Sequence, residues 1–295
     1  MFKPILGFLF TGLLSMNLFG QENDLLKGIA DTSRAREYVT GAFKSTRVIM
    51  SQSTEMLKPG VLDFRILHRF GNVNQGISEF FGLDDATIRL GLDYGITKNL
   101  TVGIGRGSFH KEVDGFLKYR AIQQATGAST IPISLLFVGG ITMIGESWSN
   151  RIPKPEFKHR LGYYFQAVLG RKFSDLLTLQ VNPTYLHRNL VPSTEDPNNV
   201  FATGIAGRLK LSKRISLNVD YYYVFNQPES YDFHNPLSIG FDIETGGHVF
   251  QLHFTNAAGM NEKVFLTETF NDWLDGDIQF GFNISRSFQL GKKKK

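Results

Sequence analysis

The sequence predicts an all-β protein: a transmembrane antiparallel up-and-down β-barrel of about twelve strands, with short periplasmic turns and longer extracellular loops. Three observations predict it. From Val61 onward, bulky apolar residues alternate with polar or small ones in segment after segment, the period of a strand with one greasy and one wet face. The connectors between these segments are by turns tight and long, as in outer-membrane barrels. No run approaches the roughly 20 apolar residues of a spanning helix, whereas 26 Phe and 10 Tyr suit strands and interfacial girdles.

Composition sets the bounds. A chain of 295 residues that is 42% hydrophobic looks ordinary for a soluble protein, but a barrel also averages to mild polarity because half of every strand faces water. Cysteine is absent, which removes disulfides and thiolate metal sites and suits a chain that crosses an oxidising compartment before folding. The net charge of +5 leans on the tail at Lys292, Lys293, Lys294 and Lys295. No basic stripe is interleaved with stacking aromatics, so no nucleic-acid partner is expected. Residues 1–20 have the layout of a secretory signal peptide, with Lys3, an apolar run over 5–13 and Gly20 before the polar Gln21.

Residues 21–60 are irregular. A helix is expected over 24–37, a short strand over 46–51 and a turn at Lys58, Pro59 and Gly60. Both ends of an even barrel lie on one side of the membrane, so this segment is expected in the periplasm or folded into the lumen as a partial plug. The barrel itself is expected over 61–290, followed by the basic tail at 291–295. Its first strand sets Leu62, Phe64, Ile66 and Phe70 against Asp63, Arg65 and Arg69; its second sets Ile88, Leu90 and Leu92 against Arg89 and Asp93. Leu100, Val102 and Ile104 carry the third, and Val113, Leu117 and Tyr119 the fourth. The fifth, over 131–143, is ambiguous because both faces hold hydrophobes such as Leu136 and Val138. Tyr163, Phe165 and Leu169 mark the sixth, Leu177, Leu179 and Val181 the seventh, Phe201, Ile205 and Leu209 the eighth, and Leu217, Val219 and Tyr221 the ninth.

The tenth and eleventh strands flank Gly246 and Gly247, a pair suited to a two-residue hairpin turn that needs positive φ. With these glycines central, paired residue numbers sum to a constant, which sets Phe241 opposite Leu252 and Asp242 opposite Gln251. The last strand, over 277–290, alternates Ile278, Phe280, Phe282, Ile284, Phe288 and Leu290 with polar or small residues. Only Arg286 interrupts its lipid-facing row, and it is read as snorkelling at the periplasmic interface. Tight connectors follow strands two, six, eight and ten; the other outer connections are long except 107–111.

Several stretches carry a resemblance: LDFRILHRFG from Leu62, FFGLDDATIRLGLDYGITKNLTVGIGR from Phe80, SLNVDYYYVF from Ser216, IGFDIETGGHVFQLHFTNAAGMNEK from Ile239 and DGDIQFGFNISRSF from Asp275. Together they make the chain similar, over most of 43–288, to the membrane-bound β-barrel domain family of unknown function of the Bacteroidota outer-membrane type. The resemblance implies an outer-membrane barrel and brings no reaction or ligand with it.

Alternation directs a set of charged residues inward. The candidate pore-lining residues are Arg65, Arg69, Arg89, Glu112, Asp114, Lys118, Arg120, Arg160, Arg188, Arg208, Asp220, Asp242, Glu244 and His253. Mixed charges of this kind suit a hydrated pathway for a polar solute or a cross-linked network that fills the barrel, and twelve strands fall between filled eight-stranded and aqueous sixteen-stranded barrels. The long outer loop over 257–276 holds Val264, Phe265, Leu266, Phe270 and Trp273, and either folds inward, narrowing the pore, or forms a helix resting on the rim. A hydrolase would need Ser, His and an orienting group in reach on one face. Ser238, Asp242 and His253 share a face, but the register makes them only diagonal neighbours, so no catalytic residue, metal site or cofactor is expected.

The first functional reading is a passive channel for small polar or charged solutes. The alternative is a closed barrel that serves as the membrane-embedded structural subunit of an envelope complex. The expected partners are outer-membrane lipids, the barrel-assembly machinery through the C-terminal strand, and envelope proteins reached through 21–60 and the tail.

Overall fold

The computed structural model describes residues 35–147 and 156–290. The signal peptide, most of the helix expected over 24–37 and the basic tail lie outside these residues. Twelve antiparallel strands close into one barrel. They are β1 (Val61–Asn72), β2 (Ala86–Thr97), β3 (Leu100–Gly107), β4 (Val113–Ile122), β5 (Ser134–Met143) and β6 (Leu161–Lys172). The second half comprises β7 (Leu177–Arg188), β8 (Asn199–Lys210), β9 (Ile215–Val224), β10 (Leu237–Thr245), β11 (His248–Thr255) and β12 (Gln279–Gln289). Each strand pairs with its sequence neighbours, and β12 closes on β1 with Gln289 opposite Val61 and Ser285 opposite Arg65.

The two faces of the wall invert the pattern of a water-soluble core. Outward Ile104, Ile205 and Phe165 are 57%, 55% and 51% exposed, whereas inward Arg69, Gln166 and Asp220 are at 0%. Apolar side chains in this position need lipid, and a closed sheet leaves no unpaired edge there. Stacked aromatics thicken the belt, among them Phe70 on Phe280 at 5.8 Å and Phe137 on Phe165 at 5.8 Å. His68 stacks on Phe282 at 4.8 Å, and Arg286 lies over the Phe288 ring at 5.0 Å.

The register of β10 and β11 is the one the glycine pair dictates: Phe241 faces Leu252, Asp242 faces Gln251 and Gly240 faces His253. Gly246 and Gly247 both have positive φ, +23° and +112°. The second value is closed to a side chain, so Gly247→Val is expected to cost about 1–3 kcal/mol, read as a lower urea midpoint in detergent with unchanged strand content.

Three local expectations are corrected. Glu37, expected at the end of a helix, instead joins Tyr38 in a two-residue strand that pairs with Ala125 and Thr126. Residues 46–51 form a tight turn, with Val48 N–H bonded to the Ser51 carbonyl at 2.9 Å and a lone bridge between Arg47 and Gln52, because the partners of this backbone are side chains. The fifth strand begins at Ser134; Ile131 bridges Ala125 within the connector between β4 and β5. That connector is long although it lies at the tight-turn end, and it supports the incoming chain: Val39 N–H donates to Gln124 O at 2.8 Å and Gln123 Nε2 to Val39 O at 3.0 Å.

Candidate functional site: the filled lumen

Residues 42–57, which precede β1, are buried along most of their length, with Val48, Ile49, Met50, Ser51, Gln52 and Ser53 at 0–1% exposure. They run without regular secondary structure, so their peptide groups need partners from elsewhere. The inward polar residues supply them. Lys118 Nζ donates to Thr46 O at 3.0 Å, Gln180 Nε2 to Gln52 O at 2.7 Å and Asn283 Nδ2 to Ile49 O at 3.2 Å. Gln251 Nε2 donates to Val48 O, and Arg208 Nη1 to Ala42 O at 3.0 Å. Arg65 reaches the Ser45 hydroxyl.

Asp220 on β9 is the anchor. Its Oδ2 accepts from Ile49 N at 3.2 Å, Met50 N at 2.8 Å, Ser51 N at 2.8 Å and Ser51 Oγ at 3.0 Å. Successive N–H groups thus converge on one carboxylate, a concave nest of the kind that binds anions. The segment is a plug in the geometric sense, clamped by side chains of several wall strands.

The lumen has two halves. On the β1 to β4 side Arg65 pairs with Asp63 at 3.0 Å and Arg89 grips Asp114, with Nε to Oδ1 at 2.7 Å. A Cβ on Gly105 would overlap the Arg89 guanidinium, so that glycine leaves the room this pair occupies. On the β5 to β9 side the inward rows add apolar residues to the polar ones: Leu136, Val138, Val168, Leu186 and Val200 are at 0% exposure and join one cluster with Ile49 and Met50 of the plug. The double-sided hydrophobicity of the fifth strand has its reason here, since Phe137 meets lipid while Leu136 and Val138 meet the plug.

The loop over 257–276 closes the other end. Its helix α1 (Glu262–Thr267) is capped by Asn261, whose side chain accepts from Val264 N at 3.0 Å. Phe265 and Leu266 are at 0% exposure in the same cluster as the plug tip, and Phe265 lies 5.1 Å from Tyr222. Phe270, by contrast, is 52% exposed. Plug and loop meet directly: Arg47 Nη1 contacts Glu262 Oε1 at 3.1 Å, both residues being almost fully buried. Recesses of about 230 and 170 Å³ flank the plug at the tight-turn end, and one of about 370 Å³ lies at the long-loop end.

The remaining predicted residues divide by depth. Arg69 is fully buried and donates to His68 O at 2.8 Å and Asn283 Oδ1 at 2.9 Å. Asp242 accepts from Gln251 at 2.6 Å, and Arg188 donates to Pro197 O at 3.1 Å. Glu244 shares the inward face but is exposed at the rim, where Lys44 pairs with it. Arg120 and Arg160 also sit at the ends, donating to Lys98 O at 2.6 Å and Ile144 O at 2.9 Å. Ser238 is hydrogen-bonded to Thr255 at 2.7 Å and His253 faces Gly240, so Ser238, His253 and Asp242 form no relay. Sequence reasoning missed Gln180, Gln251 and Asn283, neutral residues with the same role as the charged ones; their place in the inward rows was the available signal.

A second cluster latches the loop to the wall. Lys263 contacts Glu112 and lies 3.1 Å from Glu268, and His110 Nε2 lies 2.6 Å from Glu268 Oε2 and its Nδ1 3.2 Å from Glu146 Oε2. Hydrogen bonding to Glu268 raises the His110 pKa above 6.5, and bonds from His110 and Lys263 outweigh burial to hold the Glu268 carboxyl down at about 2. The depressed Glu268 stabilises the closed loop above its ordinary 4.5, and this is lost as pH falls toward 2. The raised His110 stabilises it below 6.5, and this is lost as pH rises through the raised value. Protease resistance of the loop is therefore expected to be greatest between these limits, and His110→Ala to flatten the alkaline limb and to move the acid limb to higher pH, since Glu268 loses one of the bonds that hold its carboxyl down.

A closed twelve-strand wall with an apolar outer belt and a polar, buried interior defines a transmembrane β-barrel of the outer-membrane type. The chain belongs to the family described as "Membrane bound beta barrel domain (DUF5777)", whose model matches residues 43–288. Among solved structures it is similar to the NanC porin, at 11% identity and a TM-score of 0.48, covering 78% of this chain and 100% of that one. It is also similar to Omp33 of Acinetobacter baumannii, at 10% identity, a TM-score of 0.39 and coverage of 79% and 100%. In-vitro folded OmpT of Vibrio cholerae gives 10%, 0.38, and 77% and 96%. No curated protein matches the sequence.

Proposed function

We propose that this chain is a closed outer-membrane barrel that serves as the membrane-embedded structural subunit of an envelope assembly. The observation that supports this over a standing passive channel is the commitment of the inward polar side chains to the plug backbone, with Asp220 alone accepting four hydrogen bonds. A hydrated solute path needs those groups free, and a dry cluster of plug, wall and loop is unsuited to ions. In this reading the tight turns face the periplasm. The chain enters there along the ledge of Glu37, Tyr38, Ala125 and Thr126, which is the surface offered to an envelope partner. No catalytic step is assigned. Planar-bilayer recording on the full chain, together with cross-linking in native membranes, tests the proposal. Electrical silence with a cross-linked partner at the ledge is the expected result; regular current steps from the unaltered chain would restore the channel reading.

A further inference from the structure

The outer wall is not uniformly convex. On its lipid-facing side, near the long-loop rim, a recess of about 590 Å³ opens over β10, β11 and β12. Its floor is made by Ile239, Phe241, Leu252, Phe254 and Phe280, all in the outward rows of these strands. Val73, Trp273, Gly276 and Ile278 overhang it from the loops. No Asp, Glu, Lys or Arg contributes to its lining.

The overhang is fixed to the wall's upper rim by hydrogen bonds. Val73 N–H donates to Ile278 O at 2.8 Å, Asn74 Nδ2 to Asp277 Oδ1 at 2.5 Å, and the Asn72 and Asn271 amides exchange two bonds of 3.1 Å. Trp273 Nε1 donates to Leu237 O at 3.0 Å, which satisfies the indole N–H internally and leaves its ring to form the roof. Gly276, at φ +78°, makes the turn that holds this roof open. The recess is thus preformed, and it is continuous with the apolar belt that the membrane covers.

We propose that this recess is a binding site for one acyl chain of an outer-leaflet lipid, retained beneath the Trp273 overhang and distinct from the exchanging lipids around the wall. The outward side chains of its floor are apolar and its rim carries an aromatic ring, as a hydrocarbon chain entering from the interface requires, while Gly240 and the buried His253 border it from the inward rows. A polar solute finds no charged side chain there. The inference rests on the wall and the outer loops and is independent of whether the lumen conducts.

The chain has two Trp, so Trp148→Phe leaves Trp273 as the sole tryptophan reporter. The full-length, delipidated protein in a non-quenching detergent is titrated with phosphatidylcholine brominated along its acyl chains. Saturable quenching of Trp273 at about one lipid per barrel is expected. In a variant that fills the recess, Ile239→Phe with Leu252→Phe, the apparent affinity is expected to fall at least tenfold while resistance to trypsin, which reports the folded barrel, is kept. Quenching that rises without saturation, or that saturates equally in the filled variant, overturns the proposal. So does wild-type dimerisation that the filled variant abolishes, since the occupant is then a second copy.

Discussion

Replacing Asp220 by alanine is expected to release the plug from the wall. Four donors of residues 49–51 converge on this one carboxylate in the interior of the barrel. Its removal leaves three peptide N–H groups and a hydroxyl without an acceptor where water does not reach. Leaving a buried neutral donor unsatisfied costs about 1–3 kcal/mol, which corresponds to opening made more frequent by roughly one to two orders of magnitude. Hydrogen exchange at the amides of Ile49, Met50 and Ser51 reads this directly and is expected to accelerate by that factor. Asp220→Asn keeps an acceptor of the same shape and loses the charge, so a smaller acceleration is expected, because neutral hydrogen bonds have about half the strength of charged ones. Unchanged exchange in the alanine variant would mean that Asp220 is not the anchor and that the plug is held by its other polar and apolar contacts.

The second large effect is expected at the junction of plug and loop. Arg47 and Glu262 are 3.1 Å apart with side chains 3% and 1% exposed, and the Arg47 guanidinium also lies 5.7 Å from the Phe116 ring centroid. Arg47→Met leaves Glu262 buried without its partner, and Glu262→Leu does the same to Arg47. Each single change is expected to destabilise the closed arrangement by about 3–5 kcal/mol. The double variant is expected to be close to neutral, because a buried ion pair and well-packed apolar residues of similar volume are nearly equivalent in energy. Proteolysis of the 257–276 loop under equilibrium conditions measures all four corners of the cycle. Additive single effects, with no coupling, would show that plug and loop close their ends of the lumen separately.

The wall was legible because lipid on one side and a filled interior on the other impose a strict period of two. The Gly246 and Gly247 pair then fixed a register that counting alone reaches. Alternation gives the face of a residue but not its depth, which is why Glu244, Arg120 and Arg160 were grouped with the buried lining although they lie at the rims. Leu136 and Val138 made the fifth strand ambiguous for a related reason: the plug they touch is far away in sequence and has no pattern of its own. A segment such as 42–57, whose hydrogen bonds go to side chains on β4, β7, β8, β9, β11 and β12, leaves no periodic trace. The loop over 257–276 combines both of its expected alternatives, a helix and an inward fold; the bounds of the helix, 262–267, are not legible because its Asn261 cap and apolar run are too short to stand apart from a loop.

The occupation of the lumen by residues 42–57 is tested most directly by cysteine chemistry, for the natural chain has no thiol. Met50→Cys and, as a control in the exposed turn, Gly246→Cys are exposed in membranes opened to both sides to a small, water-soluble maleimide. Rapid labelling at position 246 with position 50 protected is the predicted result. Labelling of both positions at the same rate would contradict it, because the plug tip would then stand in water and the inward polar rows would be lining a pore.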